Sequence, residues 1–250
     1  MYHFFVDQDA IHSDYITISG DDVNHIKNVL RMKPGETLVV SPRNEGDDKD
    51  YYGSIRSIEE EEVIVSIDWT EETRELPCKV YLFQGLPKSD KLEWIIQKAV
   101  ELGVYEIIPV SMRRSIVKLD EKKAKGKVLR WQGISESAAK QSKRSIIPQV
   151  KEVMTFRESL AYLKDQGITT LWMPYENARG MEATREAFEG LKKNPSKVAI
   201  MIGPEGGFDP EEVEAALKEG FLTLSLGKRI LRTETAGMMM LSLITYELED

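Results

Sequence analysis

Residues 198–207 read VAIMIGPEGG, and residues 221–236 read FLTLSLGKRILRTETA. Each stretch begins with an apolar run, Val198 to Ile202 and Phe221 to Leu226, and continues into a glycine-bearing loop. Continuous apolar runs of this length are typical of strands that are covered on both faces, as in a parallel sheet. The two stretches therefore predict an α/β fold with neighbouring parallel strands.

Ligands of open α/β sheets bind outside the carboxyl ends of the strands, and both glycine loops are predicted there. Gly206 and Gly207 lack Cβ, so the backbone can adopt positive φ and a ligand can approach closely. Pro204 stiffens the turn. Asp209 as N-cap and Pro210 at the first helical position predict that a helix begins immediately afterwards.

The loops do not match two common nucleotide-binding motifs. The spacing differs from G-x-x-x-x-G-K-[ST], since six residues separate Gly220 from Gly227 and Arg229 replaces Ser or Thr. The pattern G-x-G-x-x-G is also missing from both loops. Glu205 would repel phosphate, although its carboxylate can accept hydrogen bonds from a ribose or an amino group. A triphosphate or a dinucleotide is therefore a poor candidate for the ligand.

The paired motifs GPEGG and LGKRILRTETA resemble the ribosomal RNA small-subunit methyltransferase E family. Residues 88–94, 97–103 and 141–145 also resemble it, although Lys140 stands where that family usually has Glu. The resemblance implies the SPOUT class, with a parallel sheet and a C-terminal trefoil knot. It also implies S-adenosyl-L-methionine as cofactor and methylation of a uridine N3 in small-subunit (16S) ribosomal RNA.

The resemblance further implies that three loops hold the cofactor through backbone groups and apolar walls. The implied residues are Met173, Pro174, Tyr175, Ile202, Gly203, Pro204, Glu205, Gly206, Gly207, Leu224, Leu226, Gly227, Ile230 and Leu231.

Arg232 and Glu234 are the candidate catalytic residues beside the second loop. A uridine N3 must lose its proton to attack a methyl group, and negative charge then spreads onto the flanking carbonyl oxygens. A guanidinium facing one oxygen would stabilise that charge, and a carboxylate could take the proton. Glu234 is thus either the base or a residue that orients Arg232. The structural alternative is an Arg232–Glu234 ion pair at the start of the last helix.

Composition limits the function classes. The net charge of −8 argues against nucleic-acid binding through bulk charge. No apolar run approaches the ~20 residues that span a bilayer, and no signal peptide is visible at the amino terminus. Cys78 is the single cysteine, and the three histidines show no metal-ligand spacing. We therefore expect a cytoplasmic protein that binds neither metal nor membrane.

A basic segment stands out within this acidic chain. Residues 113–144 hold eleven basic and three acidic side chains. The simple interpretation is a solvated helix face, but beside a methyltransferase-like motif we favour RNA contact. The predicted contacts in this segment are Arg113, Arg114, Arg130, Lys143 and Arg144.

Residues 1–72 predict a small β-barrel with one helix. Five short strand candidates alternate apolar and polar residues. Residues 21–31 read as a helix with Ile26, Val29 and Leu30 on its buried face. The same family resemblance implies a PUA-like, RNA-binding barrel here, with His25, Lys27 and Arg31 facing RNA. The alternative is a solvated helix with His25 in packing. Turns are predicted at 33–35 and at 44–48, and a linker over 68–77.

Residues 73–250 predict the second, α/β domain. Six strand candidates alternate with helices, and the last helix, from Thr233 or Thr235 to near Glu249, is apolar almost all round. From the residues, that helix is either a dimer interface or a buried core helix; the resemblance implies a homodimer.

Two other functions remain open at this stage. A non-catalytic RNA-binding or ribosome-assembly protein on the same fold would keep the basic segment without needing the glycine loops. A SPOUT methyltransferase that acts on transfer RNA would keep the loops but have another substrate. The intact GPEGG and LGKRILRTETA motifs favour the ribosomal RNA enzyme, acting on free RNA or on an assembled small subunit.

Overall fold

A computed structural model describes residues 1–43 and 49–249 of the chain. The turn predicted at 44–48 lies outside the described residues. The chain divides into two compact units: residues 1–75 with 139–147, and residues 76–138 with 148–250.

The first unit is built on a five-stranded sheet. Its strands are β1 (Tyr2–Val6), β2 (Tyr15–Ser19), β3 (Thr37–Pro42), β4 (Lys49–Ile58) and β5 (Glu62–Glu72). The order is β1-β3-β4-β5-β2, and only β1 and β3 pair in parallel. Alternating side chains such as Val63 and Val65 enter one apolar core. All five predicted strands are confirmed, but residues 68–72 continue β5, so the linker prediction was wrong there.

The helix predicted over residues 21–31 is present in altered form. Helix α1 (Asp21–Asn24) passes directly into a π-helical segment, His25–Val29. The amide of Leu30 donates to the carbonyl of His25 at 2.8 Å. This wider turn rotates the following side chains. Ile26 is fully buried, whereas Val29 is 64% exposed. The predicted inward position of Val29 was therefore wrong, because that prediction assumed a regular α-helical period.

The second unit is the predicted α/β domain, with a parallel sheet. Its strands are β6 (Val80–Gly85), β7 (Glu106–Ser111), β8 (Gln149–Val150), β9 (Met154–Thr155), β10 (Thr170–Pro174), β11 (Val198–Ile202) and β12 (Leu222–Leu224). The order is β12-β10-β11-β6-β7-β8, with β9 also on β7. Every described pairing is parallel.

The remaining helices of this unit follow their strands in the chain. They are α2 (Lys91–Glu101), α3 (Glu121–Ser142), α4 (Phe156–Asp165), α5 (Glu182–Lys193), α6 (Pro210–Lys218) and α7 (Thr233–Leu248). Helix α3 ends within the residues assigned to the first unit. The buried face predicted for α2 is confirmed at Leu92, Ile95, Ile96 and Ala99.

The two strands that led the sequence analysis differ in burial. Strand β11 lies inside the sheet and all five residues are buried. Strand β12 is an edge strand of three residues, and Leu222 is 42% exposed. Coverage on both faces was therefore a wrong prediction at Leu222, whereas Phe221 and Leu224 of the same run are buried.

The chain returns from the edge of the sheet to its middle. After β12, residues 225–232 lead into α7, which packs against α2, β6 and β11. A trefoil knot of the expected class requires such a return. The topology agrees with the predicted α/β domain that follows a small β-rich domain, and the threading of the knot stays a prediction.

Candidate active site

Four loops follow neighbouring parallel strands and lie at the same end of the sheet, where these strands have their carboxyl ends. They are residues 86–90 after β6, 175–181 after β10, 203–209 after β11 and 225–232 after β12. In a parallel sheet these are all carboxyl ends, where ligands bind. The two glycine loops of the sequence analysis are thus brought together as predicted.

Loop 203–209 is a tight turn that needs its glycines for different reasons. The amide of Gly207 donates to the carbonyl of Pro204 at 2.9 Å, and Gly207 has a φ of +68°, which favours glycine. A Cβ at Gly206 would lie 3.1 Å from the Cβ of Arg114. Gly206 therefore makes room for a neighbouring loop of the protein, whereas we had predicted room for a ligand.

Asp209 holds the end of this loop. Its side chain accepts a hydrogen bond from the amide of Glu211 at 3.1 Å, and the Glu212 carboxylate accepts one from the amide of Asp209 at 3.2 Å. The predicted cap and the proline at the start of α6 are thus confirmed.

Two residues that were predicted to contact RNA form contacts with loop 203–209 instead of being fully free. Arg113 lies 3.2 Å from Asp209, and Arg114 donates to the carbonyl of Gly206 at 3.2 Å. Their side chains remain 56% and 44% exposed. They brace the loop and still present positive charge to solvent.

Glu205 belongs to a cluster of charges that also includes Glu234. The ammonium of Lys91 lies 3.1 Å from Glu205 Oε1 and 3.4 Å from Glu234 Oε2. The amide of Lys88 donates to both oxygens of Glu205, at 3.1 and 3.3 Å. Burial raises the pKa of Glu205, but these donors outweigh burial, and the net pKa is lowered. Glu205 therefore stays ionised and is held by the protein.

Glu234 does not pair with Arg232. Lys91 holds Glu234, and the Arg232 side chain is exposed and forms no ion pair within residues 1–43 and 49–249. The backbone carbonyl of Arg232 accepts hydrogen bonds from the amides of Thr235 and Ala236 at 3.0 and 2.9 Å, which begins α7. The structural ion pair that we weighed as an alternative is therefore not formed, and the guanidinium is available to a ligand.

Loop 225–232 offers backbone donors. Ser225 is fixed by Thr184, whose hydroxyl donates to the Ser225 carbonyl at 2.9 Å. Gly227 has a φ of +103°. In the described part of the chain, the amides of residues 228–231 donate no hydrogen bond. Ile230 is 83% exposed. Unpaired amides beside apolar side chains are suited to binding a partly polar ligand.

Several predicted cofactor residues are buried in the sheet. The side chains of Met173 and Leu224 are fully buried, and Ile202 is 3% exposed. They can offer a ligand only their backbone groups. Tyr175 is more accessible: its amide donates to the carbonyl of Leu224 at 3.0 Å, and its ring meets Phe208 edge-on at 6.4 Å. Pro174 is half-buried beside it.

Gln84 and Thr233 connect the site internally. The amide nitrogen of Gln84 donates to the Thr233 hydroxyl at 2.8 Å, and that hydroxyl donates to the Gly203 carbonyl at 2.6 Å. Both side chains are buried. Among the described side chains, Gln84 Oε1 is a buried acceptor with no hydrogen-bond partner. Sequence reasoning assigned no role to Gln84 or Lys91. The signal for Gln84 was its position near the carboxyl end of an apolar strand, and that for Lys91 was its place in residues 88–94, which resemble the family.

The remaining predicted RNA contacts differ in availability. In the second unit, Arg130 is 66% exposed and pairs with Glu93 at 2.8 Å. In the first unit, Arg144 is only 6% exposed and forms a close ion pair with Glu75. Arg144 therefore supports folding, and we withdraw it as an RNA contact. Exposed residues of the first unit from the predicted set are His25, Lys27, Arg31 and Lys143.

The described residues contain no group of three or more His, Cys, Asp or Glu side chains that could hold a metal ion. Within the same residues, every helix is too short or too polar to cross a membrane.

Burial raises the pKa of the single thiol, Cys78, to about 12.

Comparison with known proteins gives two domain matches. Residues 74–245 match the family described as RNA methyltransferase domain, and residues 18–68 match the RNA methyltransferase PUA domain. Ribosomal RNA small subunit methyltransferase E of Bacillus subtilis (strain 168) is 39% identical over 253 residues, covering 100% of this chain and 98% of that protein. The protein of the same name from Mesomycoplasma hyopneumoniae is 33% identical, covering 97% and 98%.

Solved structures agree with this relationship. Ribosomal RNA small subunit methyltransferase E from Neisseria gonorrhoeae, bound to S-adenosyl methionine, has a TM-score of 0.81 at 29% identity and covers 98% of this chain and 97% of its own. A Legionella pneumophila structure that holds the bound cofactor SAM has a TM-score of 0.78 at 31% identity, with the same coverage.

Proposed function

This chain belongs to the ribosomal RNA small subunit methyltransferase E family, and from that membership we propose that it methylates N3 of a uridine in 16S ribosomal RNA, with S-adenosyl-L-methionine as methyl donor. One observation carries the proposal. The two glycine loops lie at the carboxyl ends of one parallel sheet, the Glu234 carboxylate is tied to the first of them through Lys91 and Glu205, and Arg232 directly precedes the helix that bears Glu234.

The residues present fit this cofactor. The unpaired amides of residues 228–231 offer hydrogen bonds to its polar groups. Leu226, Ile230 and Leu231 offer apolar contact. The ionised Glu205 does not favour a phosphate-bearing ligand. We assign cofactor binding to these groups and to the backbone of residues 173–175, 202–207 and 224–227. When bound, S-adenosyl-L-methionine supplies an electrophilic methyl group for an in-line displacement.

Arg232 and Glu234 have separate tasks in this proposal. Arg232 donates hydrogen bonds to a uracil carbonyl oxygen and so stabilises the charge that develops as N3 loses its proton. Glu234 accepts that proton. Thr233 lies between them in sequence and is anchored to Gly203. The start of α7 is therefore fixed to the cofactor loop, which favours a constant distance between donor and acceptor.

RNA binding in the proposal uses exposed cations of both units. Arg113, Arg114 and Arg130 lie in the second unit, and Lys27 and Arg31 in the first. Their charges would contact phosphates, which position RNA without reading its sequence. The substrate is ribosomal RNA, free or in the small subunit, so we also propose a cytoplasmic location.

A second copy of the chain is part of the proposal. In α7, Met240, Leu241 and Ile244 are buried, so one face of the helix belongs to the core. Another part remains uncovered, since Tyr246 is 79% exposed. Ile230 of the cofactor loop is also exposed. We assign these two side chains to the interface of a homodimer, which is itself proposed from the family resemblance, since single exposed apolar residues are also common on monomers.

The test is methyl transfer from isotope-labelled S-adenosyl-L-methionine to small ribosomal subunits and, separately, to naked 16S RNA. The modified nucleoside is identified by mass spectrometry. We expect label in 3-methyluridine, and the preferred substrate shows whether the subunit must be assembled. Label in another nucleoside would refute N3 specificity, and cofactor binding without transfer to either substrate would refute the proposed substrate.

A further inference from the structure

Lys91 is shared by two carboxylates from different segments of the second unit. It is the first residue of α2, and its ammonium lies 3.1 Å from Glu205 and 3.4 Å from Glu234. Glu205 lies in the loop after β11 and Glu234 in the first turn of α7. One side chain therefore connects the loop assigned to the cofactor with the carboxylate assigned to the proton.

The contacts are partly shielded from solvent. The exposed fractions of the side chains are 33% for Lys91, 25% for Glu205 and 19% for Glu234. Coulomb attraction is stronger in such surroundings than in water. The hydrogen bond that the Lys91 ammonium donates to Glu205 is the largest of the effects that raise the pKa of Lys91. The ammonium is therefore charged throughout the working pH range, and without it two carboxylates would face each other uncompensated.

We infer that Lys91 is a positioning residue for methyl transfer, which orients the Glu234 carboxylate and ties it to the cofactor loop through Glu205. This inference rests on the proposed function. A carboxylate that accepts a proton has to be correctly directed, and the ammonium of Lys91 holds the Glu234 carboxylate in one direction. Arg232, directly before α7, is a further charged residue of this part of the site.

Lys98 provides a matched control on the same helix. Its ammonium lies 2.8 Å from Glu101, a pair confined to α2, and its exposed fraction of 35% is close to that of Lys91. Lys91→Met and Lys98→Met each remove one ammonium from α2; the first removes ion pairs with Glu205 and Glu234, and the second removes one with Glu101. Only the first change affects a carboxylate of the site.

The experiment is a double-mutant cycle for kcat of methyl transfer to small ribosomal subunits, with Lys91→Met, Glu234→Gln and the double variant. We expect Lys91→Met to lower kcat about tenfold in the native background and to have little further effect beside Glu234→Gln, because interacting residues are non-additive. Lys91→Arg should restore part of the rate, since it keeps the charge. Lys98→Met should match the native protein.

Binding of S-adenosyl-L-methionine and thermal unfolding are measured for every variant, so that a folding defect is recognised. If Lys91→Met fails to fold, Lys91→Arg is compared with the native protein in its place. Equal losses from Lys91→Met in both backgrounds would overturn the inference while the proposed function stands. Full activity of Glu234→Gln would overturn the inference together with the proton-accepting role of Glu234, while methyl transfer to the RNA would stand. A native protein that transfers no methyl group would overturn the proposed function first, and the role of Lys91 with it.

Discussion

Gly85→Ala should weaken cofactor binding although residue 85 need not touch the cofactor. Gly85 is the last residue of β6, and a Cβ there would lie 2.6 Å from the Pro204 nitrogen and 2.8 Å from Pro204 Cδ. Favourable contacts between such atoms begin near ~3.5 Å. The added methyl group must therefore move the loop 203–209, or the end of β6, by roughly 1 Å.

The size of the effect follows from the cost of overpacking. Inserting a methyl group into a packed region typically costs about 1–3 kcal/mol. Binding that restores the native loop position has to overcome this cost, so affinity falls by about 5- to 150-fold. Because the clash involves backbone atoms of residues 203 and 204, rotation of a side chain cannot relieve it.

The assay is calorimetric titration of the protein with S-adenosyl-L-methionine, together with thermal unfolding. The matched control is Gly190→Ala in α5, where a new Cβ meets nothing within 4 Å. This control should bind normally and gain about 0.5–1 kcal/mol of stability, since alanine favours the helix. If Gly85→Ala binds S-adenosyl-L-methionine with the native Kd and unfolds at the native temperature, the prediction is wrong, and the close approach of β6 to loop 203–209 does not affect cofactor binding.

Three further predictions concern single side chains. Arg232→Ala should lower kcat about 10²- to 10³-fold with unchanged cofactor affinity, as expected for a donor used only in the transition state; undiminished turnover would contradict its role. Arg144→Met should lower the free energy of unfolding by about 3–5 kcal/mol, because Glu75 is left uncompensated, and Arg144→Met with Glu75→Met should recover part of the loss. Burial, followed by neighbouring cations, lowers the pKa of His3 from 6.5 to about 4. Between pH 4 and pH 6.5 His3 binds more protons in the unfolded chain than in the folded chain. Its contribution to the free energy of unfolding should therefore fall by up to about 3 kcal/mol as the pH drops from 6.5 to 4. In urea titrations at several pH values, His3→Gln should reduce the slope of the free energy of unfolding against pH by this contribution. His12→Gln, at an exposed histidine, should leave that slope unchanged.

The sequence was most informative where local chemistry and burial agree. The run Val198–Ile202 is buried on both faces and became an inner strand, and Asp209 with Pro210 predicted the start of α6 correctly. In these places the pattern of apolar residues, the cap and the proline all indicate the same structure.

The failures have a common origin in contacts between distant residues. Arg144 belongs to a basic run, but its partner Glu75 lies 69 residues earlier, and no local pattern reveals that pairing. Lys91 contacts Glu234 across 143 residues. Val29 was misplaced because one π-helical turn shifts the period of buried positions, and Leu222 because strand order is a property of the whole sheet.

The makeup of the first unit bears on how the protein is synthesised. Its strands end at Glu72, but residues 139–147 also belong to it and supply Arg144 and Ser145, which bond to Glu75 and Asp50. At 5–20 residues per second, translation needs about 4–14 s to proceed from residue 75 to residue 147. During this interval the nascent barrel exposes the carboxylates of Glu75 and Asp50 without these partners. The strands of this unit are therefore synthesised before residues 139–147, and the unit cannot be completed until those residues have been made.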